Sequence, residues 1–337
     1  MNAPQLASTL AFLSHGASYG AGQHRVERIE THMSWVFLSA DFAYKLKKPI
    51  HVDLIDFTTV EARLFYCQEE LRLNRRLSPD IYLAVVPITL DGMNQLHLDG
   101  EGTPVEWLVK MRRLPAARML DAALSRRSVP APDIRRLAAM LATFHNALPT
   151  EPVDAIAYRD RFGHQLQQIQ DELGEPRYAI ERKHLDVLGA AQARALLSVS
   201  HLLETRVHQG KVIEGHGDLR AEHVCMLPKI AIIDCLEFSR DLRILDRADE
   251  LGFLALECER LGARGMAELL LRSYARYASD APEAALVHFY QSFRASKRAL
   301  IALRHLREDQ FSYSPHWRRT ALSYLALAAE HAAHCTF

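Results

Sequence analysis

Two carboxylates and an amine carry the chemistry most readily read from this chain. The segment His216-Gly217-Asp218-Leu219-Arg220-Ala221-Glu222-His223 has loop character and sets Asp218 among basic and acidic neighbours. Sixteen positions on, the apolar run Ile230-Ala231-Ile232-Ile233 ends at Asp234. A β-hairpin between the two would bring both carboxylates into one site. Such a pair suits phosphoryl transfer. One carboxylate holds Mg2+, a hard cation that takes oxygen ligands. The other orients an attacking hydroxyl and accepts its proton. The protein then contributes positioning and neutralisation of phosphate charge more than covalent chemistry. A lysine aimed by a helix glutamate would grip the phosphates, and Lys45 and Glu70 are spaced to do this.

The elements that must position these groups follow from periodicity. Residues 5–14 read as a short helix and the glycine-rich stretch 16–22 as a loop. Strands are expected at 25–31, 34–39 and 42–48, the last two joined by Ser39-Ala40-Asp41. In the third, Phe42, Tyr44 and Leu46 alternate with Ala43, Lys45 and Lys47, so Ala43 and Lys45 share a face. An alternative reading makes Lys45, with Lys47 on the same face and Lys48 next to it, a solvated basic strand end. A helix is predicted over 59–77, with Thr58 and Glu61 at capping-box spacing. Leu64, Cys67 and Leu71 form its apolar stripe, with Glu70 at the edge and Glu69 one step round. Ser78-Pro79 ends it. Strands near 81–89, 93–98 and 104–111 complete a β-rich part.

After Leu114-Pro115 the pattern turns helical. Helices are expected at 133–148, as two long polar segments within 158–208, and at 246–261, 264–279, 283–306 and 315–334, with a β-like island at 224–233. The expected class is α+β, with a helix and loop at 1–24, a β-rich lobe at 25–113 and a helical lobe at 114–337. Helices 158–208 read as an insertion, substrate-facing or scaffold. A doubly wound sheet would alternate strand and helix throughout, and this chain does not.

Bulk properties narrow the classes further. The chain has 337 residues, enough for one large domain or two lobes, and 49 % of them are apolar, enough for a real core. Lys plus Arg and Asp plus Glu both number 41, so no overall field favours nucleic acid or an anionic membrane. Five cysteines without a C-x-x-C pair read as reduced thiols of a cytoplasmic protein. No run of about 18 apolar residues suggests a membrane span, and Met1-Asn2-Ala3-Pro4 lacks the basic start of a secretory signal. Nothing in the sequence sets an oligomeric state.

The segment His216–Val224 resembles the catalytic loop H-R-D-L-K-P-E-N of protein kinases, and more closely the H-G-D-L form of aminoglycoside and choline phosphotransferases. Phe42-Ala43-Tyr44-Lys45 resembles the strand motif V-A-I-K, and Asp234 stands where the D-F-G aspartate would. Glu30–Leu38 and Cys67–Pro87 are similar to aminoglycoside-phosphotransferase-like proteins, and the resemblance covers roughly residues 25–260. It implies a two-lobed protein-kinase-like fold and a kinase using ATP and Mg2+ on the hydroxyl of a small molecule. With no G-x-x-x-x-G-K-[ST], this resembles the form without a C-terminal P-loop kinase domain.

Position by position, the resemblance implies Asp218 as catalytic base and Arg220 as the charge opposing the transferring phosphate. It implies Asp234 and, at the family's asparagine position, His223 as metal ligands. Lys45 would contact the α- and β-phosphates, paired with Glu70. Val109–Arg113, with Lys110 and Met111, would hold adenine through the backbone, with Ala43 over the ring. His32 and Ser34 would reach phosphate from the place of the missing glycine-rich loop. Asp249 would brace the catalytic loop. Glu237 is a substitute oxygen ligand for the metal. Glu250, Glu257 and Glu259 would either greet a cationic substrate or line a solvated helix face. Two alternatives to a kinase stay open: a nucleotide-binding regulatory module, favoured by His223 and the missing glycines, and a metal-dependent hydrolase built on His216, His223, Asp218 and Asp234.

Overall fold

Short β-rich runs, alternating most clearly in Phe42–Lys47, make much of the first third of the chain a sheet, and the 3.6-residue period makes most of the rest helices. The computed structural model describes residues 3–20, 25–52, 55–307 and 315–335. In chain order the elements begin with α1 (Ala3–Ser14), β1 (Glu27–Glu30), β2 (Ser34–Leu38), β3 (Phe42–Lys47), β4 (His51–Val52), β5 (Ile55–Asp56) and α2 (Val60–Asn74). Then come β6 (Tyr82–Leu90), β7 (Leu96–Leu98), β8 (Thr103–Arg112), α3 (Leu120–Ser125), α4 (Ala131–Ala147), α5 (Ala155–Leu173) and α6 (Arg182–His208). The chain continues through β9 (Val212–Glu214), β10 (Val224–Cys225), β11 (Ala231–Ile232) and β12 (Ile244–Asp246). It finishes with α7 (Arg247–Arg260), α8 (Arg264–Ala278), α9 (Ala284–Arg304) and α10 (Pro315–Ala333). Of the loop expected at 16–22, Gly16–Tyr19 forms a 3-10 turn and residues 21 and 22 lie outside the described residues. Among the described residues, no helix is long and apolar enough to cross a membrane.

The chain divides into two compact units, Met1–Met119 with His223–Leu242, and Leu120–Glu222 with Arg243–Phe337. This differs from the contiguous division expected at 113/114, because the island holding Asp234 packs with the β-rich part of the chain.

The first unit is built on a six-stranded antiparallel sheet of order β1-β2-β3-β8-β6-β7. One face carries Trp35, Phe37, Tyr44, Leu46, Ile88 and Leu108, covered by Leu13 of α1. The other carries Ala43, Tyr82, Val109 and Met111 against Cys67 of α2. Each large side chain so buried contributes roughly 1.5–3 kcal/mol. Helix α2 starts one residue later than the capping-box spacing predicts. Thr59 accepts the Ala62 N–H at 3.1 Å, whereas the Thr58 hydroxyl is drawn back to Asp56 at 2.6 Å. Arg63 of α2 and Glu106 of β8, both fully buried, form a paired contact at 2.7–3.0 Å that fixes the helix on the sheet. β7 is shorter than predicted because Asp91 accepts the N–H groups of Met93 and Gln95 and turns that stretch into a loop.

In the second unit, α5 and α6 are core scaffold. Tyr158, Phe162, Leu166, Ile169 and Leu173 of the first, and Leu185, Leu188, Val199 and Leu203 of the second, join Phe289 and Phe293 of α9 in one cluster. β9 and β12 pair in a short antiparallel ladder, Ile213 opposite Leu245. All five cysteines are free thiols and buried.

Candidate active site

In the first unit, β3 aims Lys45. It is the middle strand of its neighbours, with Lys45 opposite Val36 of β2 on one side and Val109 of β8 on the other. On α2, Glu70 is fully buried. The Lys45 Nζ donates to Glu70 Oε1 at 2.9 Å and to Asp234 Oδ1 at 2.6 Å. Burial disfavours the ammonium, yet Asp234 and Glu70 outweigh it and raise the Lys45 pKa well above its ordinary value. Burial works against the Glu70 carboxylate as well, and Lys45 and Lys47 reverse that and lower its pKa. Both groups are therefore held in their charged forms. Glu69 points elsewhere and pairs with Arg72 on the surface at 2.7 Å.

Asp234 is positioned by a chain of hydrogen bonds after β11. Ser78 Oγ donates to the Ile232 carbonyl at 2.7 Å and accepts the Ile232 N–H at 2.8 Å. The Ile233 N–H donates to the His223 carbonyl, the Asp234 N–H to the Tyr82 hydroxyl at 3.0 Å, and the Cys235 N–H to Asn74 Oδ1. This clamp holds Asp234 at φ +63°, a left-handed conformation that aspartate adopts more readily than most residues. His223 Nε2 lies 3.5 Å from Asp234 Oδ2. The Asp234 side chain keeps 44 % of its surface exposed. Mg2+ is commonly held through one or two carboxylates plus substrate phosphates, and an exposed, oriented carboxylate fits that ion. Among the described residues, no group of three His, Cys, Asp or Glu is placed to hold a metal ion.

In the second unit, the loop after β9 is fixed from within. The N–H groups of His216 and Gly217 both donate to Glu250 Oε1 at 2.7 Å. His145 Nε2 bonds Glu250 Oε2 at 2.9 Å, and Tyr274 holds the other ring nitrogen of His145 at 2.7 Å. Burial alone would raise the Glu250 pKa, but the bond from His145, the charges of His145 and His216 and the Gly217 amide lower it to about 2. Arg294 holds Asp249 with two bonds of 2.7 Å and reaches the Gly217 carbonyl at 3.4 Å. On the loop itself, Arg220 Nε donates to Asp218 Oδ2 at 2.9 Å, and its Nη1 pairs with Glu222.

Several expectations are corrected by this geometry. Lys47 is no solvated strand end. It is 1 % exposed and bonds Glu70 Oε2 at 2.7 Å and Glu237. That contact occupies Glu237, so it is not a spare metal ligand. Ser34 is 2 % exposed, its N–H turned onto Thr31 Oγ1 at 3.0 Å, which removes it from any phosphate. Lys110 and Met111 sit in a central strand, opposite Tyr44 and Ala43 on one side and Ala84 and Tyr82 on the other. The Lys110 ammonium lies 4.6 Å from the Phe42 ring, on the face opposite Lys45. The N–H groups of Arg112 and Arg113 are taken by the Ile81 and Asp41 carbonyls. Those two N–H groups are therefore engaged within the fold and not offered to a base. Glu250 and Glu257 are each 1 % exposed and Glu259 pairs with His331 and Gln291, so none greets a substrate. The bracing role assigned to Asp249 is indirect, through Arg294, and Glu250 is the direct brace. A signal for this pair was present: Asp246, Asp249 and Glu250 stand at i, i+3 and i+4, one face of a helix start.

A strand lysine tied to a helix glutamate and to a hairpin aspartate, with an H-G-D-L loop in a helical unit, defines the protein-kinase-like fold, a two-lobed α+β architecture. A choline/ethanolamine kinase family protein from Mesorhizobium loti shares it with a TM-score of 0.54 at 14 % identity, covering 96 % of this chain and 99 % of that one. A thermostable mutant of an aminoglycoside phosphotransferase in its apo form matches with a TM-score of 0.50 at 12 % identity, over 92 % and 97 %. At these identities the likeness is one of fold. In sequence, uncharacterized proteins of Mycobacterium tuberculosis strain H37Rv and of Mycobacterium bovis are each 28 % identical over 319 residues, 91 % of this chain. The chain spans 60 % of the length of these curated relatives. No protein-family model matches it.

Proposed function

We propose that the chain is an ATP-dependent phosphotransferase that moves the γ-phosphate to a hydroxyl of a small molecule. The observation that carries this reading is the Lys45–Glu70–Asp234 arrangement, in which one half-buried amine, held in its charged form, pairs with both a buried and an exposed carboxylate. In this reading Lys45 binds the α- and β-phosphates and Glu70 keeps its ammonium directed. Ala43, with Met111 and Ile233 in the same apolar cluster, offers a surface for the base, and the backbone from Leu114 onward completes it. Asp234 holds Mg2+, with His223 beside it, and the ion neutralises phosphate charge when bound. Asp218 orients the acceptor hydroxyl and takes its proton, while Arg220 fixes that carboxylate and supplies positive charge for the transferring group. Transfer of this kind asks mainly for position and charge.

The test is calorimetric titration of the full chain with Mg-ATP. The native protein binds it, and Asp234→Asn weakens binding at least about tenfold, the effect of losing roughly 1.4 kcal/mol. Equal affinity in the two proteins overturns the assignment. A second reading, a nucleotide-binding regulatory module, is favoured by the histidine at position 223 and by the occupation of Glu237 by Lys47. The two readings part on turnover: phosphate transfer that Asp218→Asn abolishes supports the enzyme, and tight nucleotide binding without transfer supports the module.

A further inference from the structure

The surroundings of Asp218 within the second unit are basic. Arg294 reaches the Gly217 carbonyl from α9, and Lys297 follows one turn along the same face of that helix. Lys297 is half-buried and, among the described residues, forms no hydrogen bond and no ion pair within contact distance. Its charge interacts with Asp218, Asp249, Arg294 and Arg161. Arg161 of α5 is held with its guanidinium 3.9 Å over the Tyr158 ring, one N–H on the Ile244 carbonyl at 2.9 Å.

The neighbouring carboxylates are engaged. Asp249 is taken by Arg294, Glu250 by His145 and two amides, Glu222 by Arg220, Glu214 by Arg243 and Asp246 by Arg206. Asp218 itself is bonded by Arg220, so a cationic acceptor would meet two cations here and, among the carboxylates named, none that is unengaged. An anion would meet an ammonium that, among the described residues, has no ion pair of its own.

We propose that Lys297, with Arg161 beside it, binds an anionic group of the acceptor, so that the acceptor is a hydroxylated acid carrying a carboxylate or phosphate, not an amine. The inference rests on the phosphotransferase reading and narrows it. Burial and Arg294 pull the Lys297 pKa down to about 8, against Asp249 and Asp218. An anion at the ammonium relieves that penalty, which gives the site a reason to prefer one.

The experiment follows ATP consumption by the full chain with glycerate, gluconate and glycerol 3-phosphate, and separately with choline, ethanolamine and glucosamine. The native protein, Lys297→Met and Lys297→Arg are compared, with Mg-ATP affinity measured for each. Stimulation is expected from one or more of the acids. Lys297→Met is expected to lower kcat/KM for that acid at least about tenfold, mainly through KM, as loss of a charged contact does. Lys297→Arg keeps most of the activity, and Mg-ATP affinity stays level in all three. Stimulation by the amines alone overturns the inference, as does equal use of the acid by Lys297→Met. A native protein that binds Mg-ATP yet answers to no acid also overturns it. A native protein that binds no Mg-ATP overturns the phosphotransferase reading beneath it.

Discussion

Lys45 and Lys47 leave the same face of one strand and share Glu70, but each has a second carboxylate of its own. Lys45 reaches Asp234, a carboxylate open to solvent, while Lys47 is enclosed between Glu70 and Glu237. Removing one member of a buried ion pair strands the other, at a cost of about 3–5 kcal/mol. Lys47→Met is therefore expected to lower stability by about 3 kcal/mol, read as a lower urea midpoint. Lys47→Met with Glu237→Leu is expected to recover part of that loss, because the stranded carboxylate is gone. A double variant no more stable than the single one contradicts the pairing. Lys45 and Asp234 were legible from strand alternation and from an apolar run ending in a carboxylate. Lys47 was not, since its partner Glu237 lies 190 positions away and only burial distinguishes it from a surface lysine. Ser34 failed for a related reason: a hydroxyl beside a turn looks available until the turn closes on Thr31.

At the level of elements, the first turn of α7 acts as the footing of the loop that carries Asp218. Asp246 accepts the Ala248 N–H at 2.9 Å as the helix cap, and Glu250 one turn on accepts two amides of the loop. The space is tight: a Cβ at Gly215 would lie 2.7 Å from Glu250 Oε2, so a side chain there would push the carboxylate off its place. The folded pKa of Glu250, about 2, lies below its ordinary 4.5. A group depressed in this way stabilises the fold above its unfolded pKa, and the contribution is lost as pH falls through 4.5 toward 2. The difference amounts to about 3 kcal/mol. Glu250→Gln, which keeps the shape, is expected to be less stable at pH 7 and to show a flatter loss of stability from pH 4.5 downward. Parallel acid denaturation curves for the two proteins would contradict that role. The helices themselves were legible almost to their ends, as Ile134, Leu137, Leu141 and Phe144 show for α4. Which acidic face is solvated was not, because periodicity marks apolar stripes and is silent about carboxylates that serve a loop 33 positions upstream.

On the scale of the whole molecule, the chain enters the second unit at Leu120, returns to the first at His223 and leaves it again at Arg243. The contiguous lobe expected from 114 onward missed this, because a β-like island of two-residue strands gives no signal of where it packs. A fragment of residues 1–119 lacks Asp234, Glu237 and the hairpin that Ser78 and Asn74 hold. It keeps the buried Lys47 without one of its two carboxylates. That fragment is expected to lack the cooperative thermal transition of the full chain in circular dichroism. Fusing residues 223–242 to it by a flexible linker is expected to restore a transition. A cooperative melt in the bare fragment would show the sheet to be self-sufficient. The same threading sets a timetable during synthesis. The sheet with Glu70 leaves the ribosome before the island, so its charged centre waits for roughly a hundred further residues until Asp234 and Glu237 emerge. At common elongation rates that is a delay of about 5–20 s, during which the sheet, made before the island, is still unfinished.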